Sequence, residues 1–80
     1  MGYHKATIQK GELGQFSKIR EEFEELTDAV DQKDPILILV EISDLCGAIE
    51  EFLKKWNLTI EDTINFSDKT KQSFKEGKRV

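Results

Sequence analysis

The chain has a single cysteine, Cys46, which excludes an internal disulfide. It also has no CxxC pair and no cysteine–histidine cluster with the spacing of a zinc site. The longest apolar run, Ile36 to Val40, is too short to cross a bilayer. Because no signal-peptide pattern is present either, we expect a cytoplasmic protein with no membrane partner.

Basic charge is scarce compared with acidic charge. The 80 residues contain 12 lysines and arginines against 16 acids, a formal net charge of −4. This balance argues against binding a nucleic-acid polymer, which requires a basic face. The acids concentrate in the middle of the chain, and the tail is basic, with Lys69, Lys71, Lys75, Lys78 and Arg79. Such a distribution suits a metal-bound polyphosphate ligand, and equally an ordinary helical protein.

The length predicts one small domain. At 80 residues a single core gives only marginal stability, so a partner chain is the expected source of further burial. Residues 1–14 contain three glycines and no sustained period, which indicates an N-terminal arm or loop. Residues 15–80 form the predicted helical domain.

Hydrophobic periodicity predicts an all-α fold. Apolar residues recur at spacings of three and four in the first predicted helix, residues 15–32, namely Phe16, Ile19, Phe23, Leu26 and Val30. The second helix should begin at Pro35, with Asp34 as its cap, and continue to about Trp56. The short connection between these helices predicts an antiparallel hairpin.

A third helix is predicted from about residue 60 to residue 74. Thr59 is a suitable N-cap, Glu61 and Asp62 place negative charge in the first turn, and Gly77 is suited to end the helix.

The run Ile36 to Val40 is hydrophobic all round a helix, which indicates more than one packing neighbour. Its β-branched residues would also suit a strand, but the Asp-Pro start and the continuing helical pattern favour a helix. We therefore expect a homodimer or homotetramer with a four-helix-bundle-like core.

Two pairs of acids flank the seam between the first two helices. Glu22 with Glu25, and Glu41 with Asp44, have i, i+3 spacing, so each pair lies on one side of its helix. At about 100° per residue, Glu22 and Glu41 border the apolar arcs, and an antiparallel hairpin can bring the two pairs opposite each other. Like charges beside an apolar seam require compensation, and oxygen-only ligands suit Mg²⁺ or Mn²⁺.

The alternative to a metal site is an ordinary solvated acidic face. Glu21, Glu24 and Asp28 are predicted to point further toward water, and surface ion pairs could neutralise the acids through Lys18, Arg20, Lys54 and Lys55.

Three other residues have simple predicted roles. His4 has no ligand spacing around it and is expected at the surface. Cys46 is expected to be a small buried residue, and Trp56 is expected to pack in the core or an interface rather than to stack on a base.

The acidic motifs resemble those of a known family. The chain reads EExxE from Glu21 to Glu25 and ExxD from Glu41 to Asp44, with Lys18 three residues before the first motif. In this it resembles the MazG-like, all-α nucleoside triphosphate pyrophosphohydrolases, including compact phage-encoded members. The resemblance covers about residues 14–79. It departs from the family at Glu24 and Ser43, where relatives often have glycine, and at Cys46, where they have long aliphatic residues.

The resemblance implies Mg²⁺-dependent cleavage of a nucleoside triphosphate to the monophosphate and pyrophosphate. It implies Mg²⁺ ligands, with Mn²⁺ as a substitute, at Glu22, Glu25, Glu41 and Asp44. Glu21 and Glu25 are then the candidates for catalysis, and the candidate phosphate contacts are Lys18, Lys69, Lys71 and Arg79. Alternatives are an inert helical oligomerisation or nucleotide-binding module, and hydrolysis of phosphoribosyl-ATP or a similar nucleotide.

Overall fold

The computed structural model describes residues 4–77, which form three α-helices and contain no strand. The helices are α1 (Phe16–Asp31), α2 (Pro35–Leu53) and α3 (Ile60–Lys75), with a 3₁₀ turn at Lys54–Trp56. The all-α prediction is confirmed, and α2 ends in a 3₁₀ turn over the last residues of its predicted span. Within the described residues, no helix has the length and apolar character needed to span a membrane.

Side-chain caps fix the starts of α2 and α3. The Asp34 carboxylate accepts hydrogen bonds from the backbone N–H groups of Ile36 (3.1 Å) and Leu37 (3.2 Å), and Pro35 occupies the first helical position. Thr59 and Asp62 form a reciprocal capping box, with hydrogen bonds of 3.2 and 2.9 Å. Both predicted caps are therefore confirmed.

Residues with positive φ follow the helix ends. Lys33 and Asn57 both have a φ of 57°, and Gly77 has a φ of 71°. Asn tolerates this left-handed conformation better than most residues, and glycine adopts it without steric penalty. The predicted role of Gly77 at the end of α3 is confirmed.

The helices α1 and α2 pack antiparallel, as their short connection predicts. The ring of Phe16 at the start of α1 meets that of Phe52 near the end of α2, with centroids 6.1 Å apart in an edge-to-face arrangement. In the same region the Lys55 ammonium donates a hydrogen bond to the side chain of Gln15 (2.7 Å). The helix α3 packs against α2, and within the described residues it makes no packing contact with α1.

The fully buried residues among those described include more acids than apolar residues. The buried apolar residues are Ala29, Leu37 and Ala48, and the buried acids are Glu21, Glu22, Asp28 and Glu41. Of the apolar stripe on α1, Phe16, Phe23 and Val30 remain exposed. One chain thus builds a small core around acids, which is an unfavourable arrangement without compensating charge.

Much of the apolar surface stays uncovered in a single chain. On α2, Ile36 is 77% exposed and Leu39 is 69% exposed. Trp56 is 63% exposed, and its ring meets that of Phe52 in an edge-to-face arrangement at a centroid distance of 6.3 Å. The prediction that Cys46 is buried is wrong: it lies on an exposed side of α2, because α3 covers only part of that helix.

The N-terminal arm lies along α1 and changes which of its residues are buried. The Gly11 N–H donates to Glu21 (2.8 Å), and the Lys5 N–H donates to Asp28 (3.1 Å). The prediction that Glu21 and Asp28 point toward water is therefore wrong. Residues of the arm cover these two side chains and shield them from solvent.

Replacing Gly11 by alanine is expected to lower the free energy of unfolding by about 1–3 kcal/mol. A Cβ atom at Gly11 would lie 2.2 Å from the carbonyl oxygen of Ser17, and this backbone oxygen cannot move cheaply. Denaturant unfolding measures the change. Gly47→Ala is the matched control, because a Cβ there meets nothing within 4 Å and alanine suits a helix, with an expected gain of about 0.5–1 kcal/mol. Unchanged stability of Gly11→Ala would contradict the close packing of the arm.

Candidate metal centre

Four carboxylates from α1 and α2 converge at one point of the hairpin. Glu22 and Glu25 from α1, and Glu41 and Asp44 from α2, each place a ligand oxygen so that all four lie within 4.8 Å of one another. Glu22 and Glu41 are buried, Glu25 is half-buried and Asp44 is exposed. The structure thus brings together all four residues that the sequence predicts as metal ligands, in a cluster that opens to solvent at Asp44.

One oxygen of Glu41 has no partner. Among the described residues, Oε1 of Glu41 accepts no hydrogen bond, although the residue is only 1% exposed. Buried polar atoms are almost always hydrogen-bonded, and an unpaired buried carboxylate oxygen is strongly unfavourable. The unpaired atom therefore points to a cation at this position. The oxygen-only donor set of the four acids fits the hard ions Mg²⁺ and Mn²⁺.

Ionisation of the clustered acids is unfavourable, because they are partly buried and lie beside one another. Burial raises the pKa of Glu22, the nearby Glu25 carboxylate adds to the rise, and the hydrogen bond from Lys18 opposes it. Burial also raises the pKa of Glu25, and contact with the Glu41 carboxylate raises it further. Without a cation, part of this cluster resists ionisation.

Glu21, a predicted catalytic residue, lies outside the group of four. Its carboxylate accepts hydrogen bonds from the Gly11 N–H (2.8 Å) and the Lys18 ammonium (3.1 Å), and Lys10 approaches to 3.5 Å. Burial by itself would raise the pKa of Glu21, but the bonds from Gly11 and Lys18 outweigh it and hold the pKa below its ordinary value. Both oxygens of Glu21 are thus occupied by donors from the arm and from its own helix.

Lys18 is the only one of the predicted phosphate contacts that the structure places beside the cluster. Its ammonium lies 3.1 Å from a Glu21 oxygen and 3.1 Å from a Glu22 oxygen. Hydrogen bonds to Glu22 and Glu21 raise the pKa of Lys18, so the side chain stays charged. Lys69 and Lys71 belong to α3, which does not touch α1, and Lys71 pairs with Asp68 at 3.3 Å. Arg79 lies outside the described residues.

His4 is a site residue that the sequence reasoning missed. Its Nε2 lies 2.9 Å from Oε2 of Glu41 and its Nδ1 lies 2.9 Å from Oδ2 of Asp28, and its side chain is 8% exposed. The prediction that His4 is a surface residue is wrong, because the arm inserts it between α1 and α2. A signal for its partner was present: Asp28 continues the i, i+3 series of Glu22 and Glu25.

An open cleft of about 510 Å³ adjoins the cluster. Its walls include Glu22 and Asp44 from the cluster, together with Lys18, Glu50 and Glu51. Four acids and one lysine line the cleft, and the Glu51 carboxylate is also paired with the Lys54 ammonium at 2.6 Å, so the lining has a net negative charge. A larger apolar groove of about 590 Å³ runs along α3, away from the acids, and includes Phe66 and Phe74.

The geometry of this site stands without support from known relatives. Comparison of the chain with protein-family models, curated proteins and solved structures finds no match. The resemblance to the MazG-like hydrolases therefore rests on the two acidic motifs, and the interpretation of the site rests on its own distances, burial and charge.

The metal-free protein is expected to lose stability as the pH rises above 6.5 and passes the raised pKa of His4. Burial opposes protonation of His4, but hydrogen bonds to Asp28 and Glu41 outweigh this and raise its pKa above 6.5, so its stabilisation is full below 6.5 and is lost as the pH passes the raised value. Glu22 and Glu25, with pKa values raised above 4.5, become unfavourably charged in the same direction.

Stability should also fall at low pH, below about 4. The hydrogen bond from His4 lowers the pKa of Asp28, and Glu21 also has a lowered pKa, so their contributions disappear when they are protonated. Denaturant unfolding in EDTA over the acidic to alkaline pH range measures the loss of stability at low pH and the loss at high pH, the acid and alkaline limbs of the profile. The His4→Gln variant should flatten the alkaline limb, and an unchanged alkaline limb would contradict the assigned role of His4.

Proposed function

We propose that the chain is a Mg²⁺-dependent nucleotide pyrophosphohydrolase of the MazG-like type, which cleaves a ribo- or deoxyribonucleoside triphosphate to the monophosphate and pyrophosphate. The observation that carries the proposal is the convergence of four carboxylates, one of which, that of Glu41, is buried and has an oxygen without a hydrogen-bond partner among the described residues. Mn²⁺ is the expected substitute, because it accepts the same oxygen ligands.

The residues that would hold Mg²⁺ are Glu22, Glu25, Glu41 and Asp44. When bound, Mg²⁺ would neutralise phosphate oxygens and lower the pKa of a water molecule. The burial of the four acids is graded, from Glu41 at the interior end to the exposed Asp44 at the cleft. This gradient supports entry of the triphosphate from the Asp44 side, with Glu41 fixing the inner end of the site.

We assign different roles to the two predicted catalytic acids. Glu25 is half-buried within the cluster, and its place there makes it the better acceptor for the proton of the attacking water. Glu21 has both oxygens engaged by Gly11, Lys10 and Lys18, which supports a positioning role. In that role it holds the arm over α1 and keeps Lys18 beside Glu22.

The acidity of the cleft supports a strict need for a cation. A triphosphate would meet Glu22, Asp44, Glu50 and Glu51 against a single lysine, and this arrangement repels a polyanion unless a metal compensates. Among the described residues, Lys18 is the one candidate phosphate contact that lines the cleft. We assign Lys69, Lys71 and Arg79 to the site of a neighbouring chain.

This assignment requires an oligomer, which we propose is a homodimer or homotetramer with a four-helix-bundle-like core. The exposed apolar residues of α2, above all Ile36 and Leu39, support this oligomer. Large apolar side chains that lie together on an exposed helix face usually mark a contact surface with another chain. Leu39→Glu is expected to yield a monomer in sedimentation experiments while helical content by circular dichroism is kept. A wild-type chain that sediments as a monomer at micromolar concentration would contradict the proposed assembly.

The proposed function is tested by product analysis. The protein is incubated with a panel of ribo- and deoxyribonucleoside triphosphates and phosphoribosyl-ATP, with Mg²⁺ or with EDTA. We expect equal amounts of monophosphate and pyrophosphate with Mg²⁺, and no product with EDTA. Release of orthophosphate would show that a different bond is cleaved. A lack of turnover for every nucleotide would overturn the proposal and favour an inert oligomerisation or nucleotide-binding module.

A further inference from the structure

The N-terminal arm places a nitrogen ligand at the edge of the acidic cluster. The Nε2 atom of His4 lies 2.9 Å from Oε2 of Glu41 and 3.9 Å from Oε2 of Glu25. Two ligands bound to one metal ion at about 2.1 Å are separated by about 3.0 Å when they are at right angles and about 4.2 Å when they are opposite. The separations from His4 to the two glutamates therefore match those of ligands that share an ion.

Asp28 orients the other nitrogen of the same ring. Its Oδ2 atom accepts from Nδ1 of His4 (2.9 Å), from the Lys5 N–H (3.1 Å) and from the Gln32 side chain (2.9 Å). Three donors thus hold the carboxylate in place, and the carboxylate fixes the ring so that Nε2 faces Glu25 and Glu41. Metal-binding histidines typically donate their second ring N–H to a carboxylate in this way, which sets the tautomer and the ring orientation.

Glu41 supplies the second, independent observation. Its Oε2 atom faces His4, while its Oε1 atom has no hydrogen-bond partner among the described residues although the side chain is buried. A histidine that served only as a counter-charge would leave this oxygen unsatisfied. A metal ion bound between His4, Glu25 and Glu41 would instead bring positive charge to the Glu41 carboxylate, to which the unpaired Oε1 atom belongs.

We infer that His4, Glu25 and Glu41 form a mixed nitrogen–oxygen site for a divalent transition-metal ion, with Asp28 as the residue that positions His4. Imidazole suits later transition-metal ions such as Co²⁺, and Mn²⁺ binds it together with carboxylates, whereas Mg²⁺ prefers oxygen ligands alone. This inference rests on the proposed metal centre, with which it shares Glu25 and Glu41, but it does not require nucleotide hydrolysis. In this site the N-terminal arm supplies a metal ligand, and its imidazole makes the metal centre selective among divalent ions.

The single histidine of the chain permits a direct test. The untagged, metal-free protein is prepared with ¹⁵N-labelled histidine, loaded with one equivalent of Mn²⁺ and studied by electron spin-echo envelope modulation. We expect coupling of Mn²⁺ to a ¹⁵N nucleus, which can only belong to His4, and its loss in His4→Gln. Absence of ¹⁵N coupling to stoichiometrically bound Mn²⁺ would overturn the inference and show that His4 is only a counter-charge.

Calorimetric titration gives a second readout. The His4→Gln variant is expected to bind Co²⁺ at least about tenfold more weakly and Mg²⁺ within about threefold of wild type. Asp28→Asn should weaken Co²⁺ binding by about 10–100-fold. Lys5→Gln is the matched control, because the exposed Lys5 contributes its backbone N–H, and should bind Co²⁺ like wild type. Equal Co²⁺ affinity in His4→Gln and wild type would contradict the inference.

The two proposals fail in distinguishable ways. Mg²⁺-dependent release of pyrophosphate without ¹⁵N coupling to Mn²⁺ would leave the function standing and remove His4 from the metal centre. Coupling of His4 to bound Mn²⁺ in a protein that turns over no nucleotide would leave the mixed site standing and overturn the proposed hydrolase.

Discussion

Saturating Mg²⁺ is expected to raise the melting temperature of the metal-free protein by about 10–20 °C. A ligand that binds only the folded state stabilises it by about 2.7 kcal/mol at one hundred times its dissociation constant. For a domain of 60–100 residues, each kcal/mol corresponds to about 4–8 °C. The effect should be large here because the folded chain holds Glu22, Glu25 and Glu41 together without enough positive charge. Thermal unfolding in EDTA and in Mg²⁺ measures the shift.

General screening must be separated from binding in this experiment. NaCl at equal ionic strength should give a much smaller shift, because buried charges are screened only weakly. Glu24→Gln is the matched variant: Glu24 lies on α1 between the motif acids, is exposed and lies outside the cluster, so the Mg²⁺ response should remain. A shift with NaCl as large as that with Mg²⁺ would contradict specific binding.

Replacing Glu41 by glutamine is expected to have opposite effects on stability and on activity. In EDTA the variant should be as stable as wild type or more stable, because it removes one negative charge from a buried cluster in which Glu22 and Glu25 already have raised pKa values. The glutamine oxygen can still accept the hydrogen bond from His4. With Mg²⁺, the variant should show little thermal shift and a loss of hydrolysis of about a hundredfold or more, since even outer-shell changes at metal sites reduce activity by 10–100-fold.

Unchanged or higher stability in EDTA together with a loss of Mg²⁺-dependent activity distinguishes a metal ligand from a structural residue. If Glu41 only supported the fold through His4, Glu41→Gln would lower the melting temperature equally with EDTA and with Mg²⁺, and turnover would fall only with the folded fraction. Glu24→Gln again provides the comparison. Full Mg²⁺ response and full turnover in Glu41→Gln would remove it from the metal centre.

The features predicted correctly from the sequence are those set by local chemistry. Asp34–Pro35 and the Thr59–Asp62 capping box fix helix starts through contacts within a few residues, so pattern alone locates them. The i, i+3 spacing of the acid pairs likewise follows from helix geometry. Together with a three-residue connection, these local rules are sufficient to bring Glu22, Glu25, Glu41 and Asp44 to one place.

The errors arise where a distant segment decides the environment. His4 is 24 residues from Asp28 and 37 from Glu41, and its arm lacks a period that would show which face of α1 it covers. For the same reason helical angle alone predicts that Glu21 and Asp28 face solvent, although Gly11, Lys5 and His4 cover them. Residue type predicts that Cys46 is buried, but its burial depends on how much of α2 is covered by α3.

Buried acids connect the stability of this fold to its proposed chemistry. A chain of this size has little free energy to spare, yet its interior contains Glu21, Glu22, Asp28 and Glu41. The arm offsets part of this charge: Lys10, Gly11 and His4 act with Lys18 on α1 to satisfy Glu21 and Asp28 and one oxygen of Glu41. The remaining imbalance falls on the four acids proposed to bind metal.

The most direct test of the metal centre is anomalous diffraction from crystals of the protein soaked in Mn²⁺. We expect an anomalous peak at the cluster with Glu25 and Glu41, the two acids common to both proposed ligand sets, among its ligands at about 2.0–2.4 Å, and no such peak in Glu41→Gln crystals. Fully ordered side chains at this site without a peak, in crystals that contain Mn²⁺ elsewhere, would contradict the central claim that the hairpin assembles a metal site.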